Sequence, residues 1–84
     1  DDSDLKFIVR IMISLKSLEL ARSVIAQAVG RYPEDIDMLI LAAEIEFHRR
    51  NYPQVYLLFD RLRSSWDKLP PHLQVAFEQW VARD

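Results

Sequence analysis

No cysteine occurs in the 84 residues, so neither a disulfide framework nor a thiolate metal site is available, and cysteine usage says nothing of redox compartment. Glycine is nearly missing as well. One Gly beside four Pro supplies too few positive-φ positions for a turn-rich all-β fold. Long apolar runs are absent: the stretch Met38 to Ala43 is among the longest. Such runs fall far short of the roughly 20 residues that a membrane span needs. No signal-peptide pattern is seen. Nor does one sign of charge dominate, since 13 acidic and 11 basic residues give a net charge of −2. The basic residues, from Lys6 to Arg83, are scattered along the chain. Nucleic-acid binders concentrate such charge on one face to neutralise phosphates, so direct nucleic-acid contact is not expected. The chain begins at Asp1 without Met, which reads as an excised or processed piece of something longer. Targeting signals and localisation are left open.

What is present is half hydrophobic and 29% charged, the balance of a globular domain rather than a disordered one. The length sits just above the roughly 70–80 residues below which extra staples are usually required. It reads as one domain, 1–84, with a modest core. Breakers at Lys16-Ser17, Gly30 to Asp35, Arg50 to Pro53 and Lys68 to Pro71 divide it into five segments of helical length and pattern. The first runs from about Asp4 to Leu15, with acidic residues at the positive end of the helix dipole. The second follows Ser17 as N-cap and stops at Gly30 as C-terminal cap. The third is capped by Asp35 and runs to about Arg49. Pro53 in the first turn opens the fourth, which continues to about Trp66; Pro70-Pro71 opens the fifth, which runs to the end. Connections this short allow only antiparallel neighbours. The fold class is therefore all-α, built of antiparallel helical hairpins.

Hairpins in series carry a repeat. Leu18 and Tyr52, Ala21 and Val55, Ile25 and Phe59, and Ala28 and Leu62 are each 34 apart. The same shift relates Leu5, Leu39 and Leu73, then Ile8, Ala42 and Ala76, and in the loops Ser17 and Asn51. Two helices per 34 residues is the tetratricopeptide period. The stretch SLELARSVIAQAVGRYP resembles the second half of such a repeat, with Leu18, Ala21, Ile25, Ala28 and Pro33 at the expected places. The next copy, NYPQVYLLFDRLRSSW, keeps Tyr52 and Phe59. It departs at Val55, Leu62 and Asp67, and Lys16 and Arg50 stand where the family commonly has its turn glycine. The resemblance implies a solenoid of two repeats, about 2–35 and 36–69, plus a terminal helix over about 70–84. LAAEIEFHRRNYPQVYLLFDRL also resembles the half-a-tetratricopeptide repeats of RNA-processing scaffolds. Ala43, Glu46, Asp60-Arg61 and Ala21-Arg22 carry that likeness, while Met12 replaces the expected Glu and no Trp marks either first helix.

Signs of catalysis are weak. His48 and His72, 24 apart on different helices, would make a metal pair with Glu44 one turn before His48. Zinc sites need three or four clustered ligands, and the sequence offers no such cluster, so both read as surface or groove histidines. Asp35, Asp37, Glu44 and Glu46 read as capping and solvated carboxylates; Glu44 and Glu46, two apart, lie on different helix faces. Ser3, Ser17, Ser64 and Ser65 fall at caps or turns without a nucleophile-elbow or phosphate-loop spacing. No catalytic residue, metal or cofactor is expected. Among the aromatics, Tyr52 and Phe59 read as core knobs seven apart, whereas Phe47, Tyr56 and Trp80 are placed between core and partner surface.

From Leu5 to Leu15 only Lys6, Arg10 and Ser14 are polar, and they form a single stripe. A helix apolar on its other sides needs burial on two faces. The second helix covers one; a preceding repeat, a partner or a second copy of the chain must cover the other, which includes Phe7 and Ile11. By resemblance, the first helices line a partner-binding groove with Lys6, Arg10, Ser14, Ile40, Glu44, Phe47, His48, Gln74 and Glu78. Arg10 and Leu41 stand where the subfamily that clamps acidic chaperone tails needs Asn, so recognition of that kind is not expected. The resemblance implies a non-catalytic module that binds a peptide or amphipathic helix of a partner protein and scaffolds a complex. An architectural subunit of an RNA-processing complex and a bacterial secretion chaperone are the alternatives.

Overall fold

A break between helices falls within each breaker segment of the computed structural model, which describes residues 2–83. Five α-helices follow: α1 (Asp2–Ser14), α2 (Leu18–Arg31), α3 (Ile36–His48), α4 (Tyr52–Arg61) and α5 (Pro71–Ala82), with a 3₁₀ stretch over Arg63–Lys68 before the last. The described residues contain no strand. α1 with α2, and α3 with α4, form antiparallel hairpins. α1 and α3 are both 13 residues long and begin and end 34 positions apart.

The turns repeat too. Lys16 and Arg50, at φ 63° and 61°, are the only non-glycine residues with positive φ among those described. In the first turn Lys16 N–H donates to the Ile13 carbonyl at 3.0 Å and Ser17 N–H to the Met12 carbonyl at 2.9 Å. In the second, Arg50 N–H donates to Phe47 at 3.0 Å and Asn51 N–H to Glu46 at 2.9 Å. This paired closure is the Schellman ending, whose left-handed residue satisfies the orphan carbonyls of the last turn.

Three local expectations are corrected. Gly30 does not cap α2; it lies inside the helix, which runs on until Tyr32 N–H donates to the Ala28 carbonyl at 2.8 Å. Pro33 stops it, having no N–H to continue the ladder. Ser17 occupies the N-cap position of α2, but its side chain makes no capping bond. Asp35 does cap α3, accepting from Met38 N–H at 3.3 Å. Finally, α4 ends at Arg61 rather than near Trp66. Leu62 and Ser65 N–H groups bond three residues back, and this tighter pitch stacks residues three apart. Leu62 and Ser65 are both buried as a result. The fifth helix was expected to reach the chain end; Asp84 lies outside the described residues.

α3 is the central element, packed against α1, α2 and α4. It buries Met38, Leu39, Leu41, Ala42, Ala43, Ile45 and Glu46, which is why its sequence is apolar nearly all round. Phe59, Leu62 and Leu73 complete the middle of the core, each fully buried. Burial of each such side chain contributes about 1.5–3 kcal/mol. α5 is attached through aromatic rings: Phe59 meets Phe77 edge-on at 5.3 Å, and Tyr56 stacks on Trp80 at 6.0 Å. Tyr52, expected in the core, is 43% exposed and touches Phe47 only edge-on, at 6.0 Å. Its counterpart seven residues on, Phe59, is the true knob.

Candidate partner-binding site

The polar stripe of α1 faces the matching side of α3, and between them lies a cleft of about 390 Å³. Arg10, Ser14, Ile40 and Glu44 line it together, with Asp37 and Lys68 at its edges. The hydroxyl of Ser14 donates to the Arg10 carbonyl at 3.1 Å, within its own helix. Phe47 lies in a second depression of about 300 Å³, beside Tyr52, Tyr56, His72 and Arg83.

Three expected groove residues are placed elsewhere or otherwise engaged. Lys6 is only 14% exposed in its side chain, and its Nζ pairs with Asp35 Oδ2 at 3.1 Å and Asp37 Oδ2 at 3.5 Å. It joins α1 to the start of α3 instead of facing a ligand. Burial works to raise the Asp35 carboxyl. The hydrogen bonds from Lys6 and Met38 N–H, with the charge of Lys6, outweigh that and hold it below its ordinary value. Gln74 donates to the Trp66 carbonyl at 3.3 Å, tying α5 to the 3₁₀ stretch. Glu78 is exposed and lines neither depression.

Both histidines lie at the surface, but they share one partner. His48 Nε2 lies 3.1 Å and His72 Nε2 2.7 Å from the same atom, Glu44 Oε1. The ligand atoms of all three residues are within 4.8 Å of one another, so the cluster that the sequence did not offer is assembled by the fold. The repeat does not foretell this meeting: a shift of 34 carries the Lys6–Asp37 pair to Ile40 and Pro71, not to Glu44 and His72.

Glu46 is not the solvated carboxylate that its place in the sequence implies. It is 4% exposed rather than solvated, and it is fully partnered. Arg49 donates to it at 2.7 Å, Asn51 at 3.0 Å, and Arg22 lies 3.3 Å away. Arg49 in turn holds Glu19 at 3.0 Å. Hydrogen bonding to Glu46 first, then to Glu19, raises the Arg49 guanidinium against the opposing effect of desolvation. This network borders a depression of about 550 Å³ between α2, α3 and α4, where Ile25, Val29 and Leu58 stand beside Glu19, Arg22 and Arg61.

The outer face of α1 is open. Phe7 is 63% exposed, Ile11 43%, and Ile8 and Leu15 lie beside them. No helix of the described residues is long and apolar enough to cross a membrane. Compared with protein-family profiles, with curated proteins and with solved structures, the chain finds no match.

Proposed function

We propose that this chain is a non-catalytic protein-interaction module of the tetratricopeptide type, which binds a helix of a partner protein and so scaffolds a complex. One observation carries the reading. Leu41, Ala42 and Ile45 of α3, at 6%, 9% and 0% exposure, are buried in the helix that packs on α1, α2 and α4. Their counterparts 34 residues earlier, Phe7, Ile8 and Ile11, lie open in α1. A face that helices cover in one repeat and nothing covers in the other among the described residues is shaped for a helix. Contiguous apolar surface of this kind marks interaction sites, and end repeats otherwise carry a polar outer face. The Arg10, Ser14, Ile40 and Glu44 cleft offers mixed polar and apolar contacts to a peptide on the neighbouring side.

Sedimentation of the chain over a concentration series, alongside Phe7→Glu, tests the reading, because a second copy can supply the covering helix. Reversible association that the substitution weakens is expected. A strictly monomeric wild type, with Phe7→Glu indistinguishable in solubility and melting temperature, would remove its basis.

A second reading, an architectural subunit of an RNA-processing complex built of half-a-tetratricopeptide repeats, is favoured by one contact. The residues carrying that resemblance meet in space: Arg22 of the Ala-Arg pair reaches Glu46 at 3.3 Å. Arg61 also anchors the α2–α3 loop by donating to the Pro33 carbonyl at 2.8 Å.

A further inference from the structure

We propose that Glu44, His48 and His72 form a binding site for a divalent transition-metal ion of the zinc type, an inference that does not rest on the protein-interaction reading, although Glu44 also lines the cleft between α1 and α3. The chain has only two histidines, and the fold brings both to one carboxylate oxygen, from the last turn of α3 and the first turn of α5. Two imidazole nitrogens and a carboxylate oxygen are a set that zinc accepts, with solvent completing the coordination. Bond lengths of about 2.0–2.2 Å at tetrahedral angles require donors roughly 3.3 Å apart. The two edges that meet at Glu44 Oε1 are 2.7 and 3.1 Å, and the three ligand atoms lie within 4.8 Å of one another. Small rotations about side-chain bonds therefore suffice to seat an ion.

The support is rigid where it needs to be. Glu44 and His48 are one helical turn apart, so their spacing is set by the backbone of α3. Phe47 stands edge-on to both rings, 6.2 Å from His48 and 5.5 Å from His72, and limits how far either imidazole can swing. Access is open: the side chains of His48 and His72 are 32% and 46% exposed, with Glu44 at 15% behind them. Without an ion, each Nε2 is close enough to donate its hydrogen to the shared oxygen. When a cation binds, each neutral imidazole carries its hydrogen on Nδ1 instead and presents the Nε2 lone pair to the ion, which clamps α5 to α3.

Zinc chloride titrated into the chain, followed by calorimetry and thermal melting, decides the matter. One-to-one binding is expected, with a rise in melting temperature of about 10 °C or more at roughly a hundredfold excess over Kd. His72→Asn and Glu44→Gln should each weaken binding at least about tenfold, with circular dichroism showing helix content retained. Absence of heat and of any melting shift up to about 1 mM zinc overturns the proposal. Binding that His72→Asn leaves unchanged overturns it equally. Should a variant fail to fold, cobalt(II) added to the wild type gives the answer: paramagnetic perturbation of both imidazole resonances supports the site, and unperturbed imidazoles exclude it.

Discussion

Ala21 has no exposed surface, and it lies on α2, the helix that packs against both α1 and α3. At such a crossing the helix separation is set by the small side chain. Ala21→Leu should therefore overpack, costing about 1–3 kcal/mol. Arg31→Leu, at an exposed site, should cost under about 0.5 kcal/mol. Thermal melts of the two variants compare them directly, and a neutral Ala21→Leu would contradict this packing. Asp35 gives a pH-dependent case. Its folded pKa lies below the ordinary 3.8, so its contribution is present above that value and is lost as pH falls through the folded one. Asp35→Asn keeps an N-cap oxygen but loses the pairing with Lys6. The variant should melt below wild type at neutral pH, and the gap should close as pH drops beneath about 4. A gap that stays constant with pH would mean the ion pair adds nothing. Glu46 makes the opposite point about charge: a carboxylate is tolerated in the core because Arg49, Asn51 and Arg22 all reach it.

At the level of elements, the two hairpin turns are the strained parts. A residue with a Cβ in the left-handed region costs about 1–2 kcal/mol, and glycine removes that while adding back about 0.5–1 kcal/mol of chain entropy. Arg50→Gly should thus stabilise by up to about 1 kcal/mol, or roughly 4–8 °C in melting temperature. Arg50→Val should destabilise, since a β-branched side chain is worse still at φ 61°. If the glycine variant melts lower than wild type, the Arg50 side chain supplies contacts that outweigh its backbone strain. Lys16 should respond in the same sense, its turn being closed by the same two bonds.

The fold measures 36 × 24 × 19 Å, with α3 packed on α1, α2 and α4, and α5 packed on α4 and the 3₁₀ stretch. Protection from amide exchange should follow that order, slowest through Leu39–Ile45 and fastest in the first turn of α1 and the last turn of α5. Equal protection in α5 and α3, measured by hydrogen exchange, would mean that the terminal helix is part of the same cooperative unit.

Caps, prolines and the 34-residue spacing are local or periodic properties, so the sequence alone determined the helix count, the hairpins and the equivalence of Lys16 with Arg50. It also marked Phe7 and Ile11 as an apolar face with too little to cover it. Which side chains meet was decided only by the tertiary structure. Lys6 with Asp35, Arg22 with Glu46, and Glu44 with His72 are 29, 24 and 28 positions apart. A 34-residue period fixes the order of the helices but not their crossing angles or the reach of each side chain. Those depend on core volumes such as Ala21 and Phe59, and on the 3₁₀ stretch that sets the approach of α5.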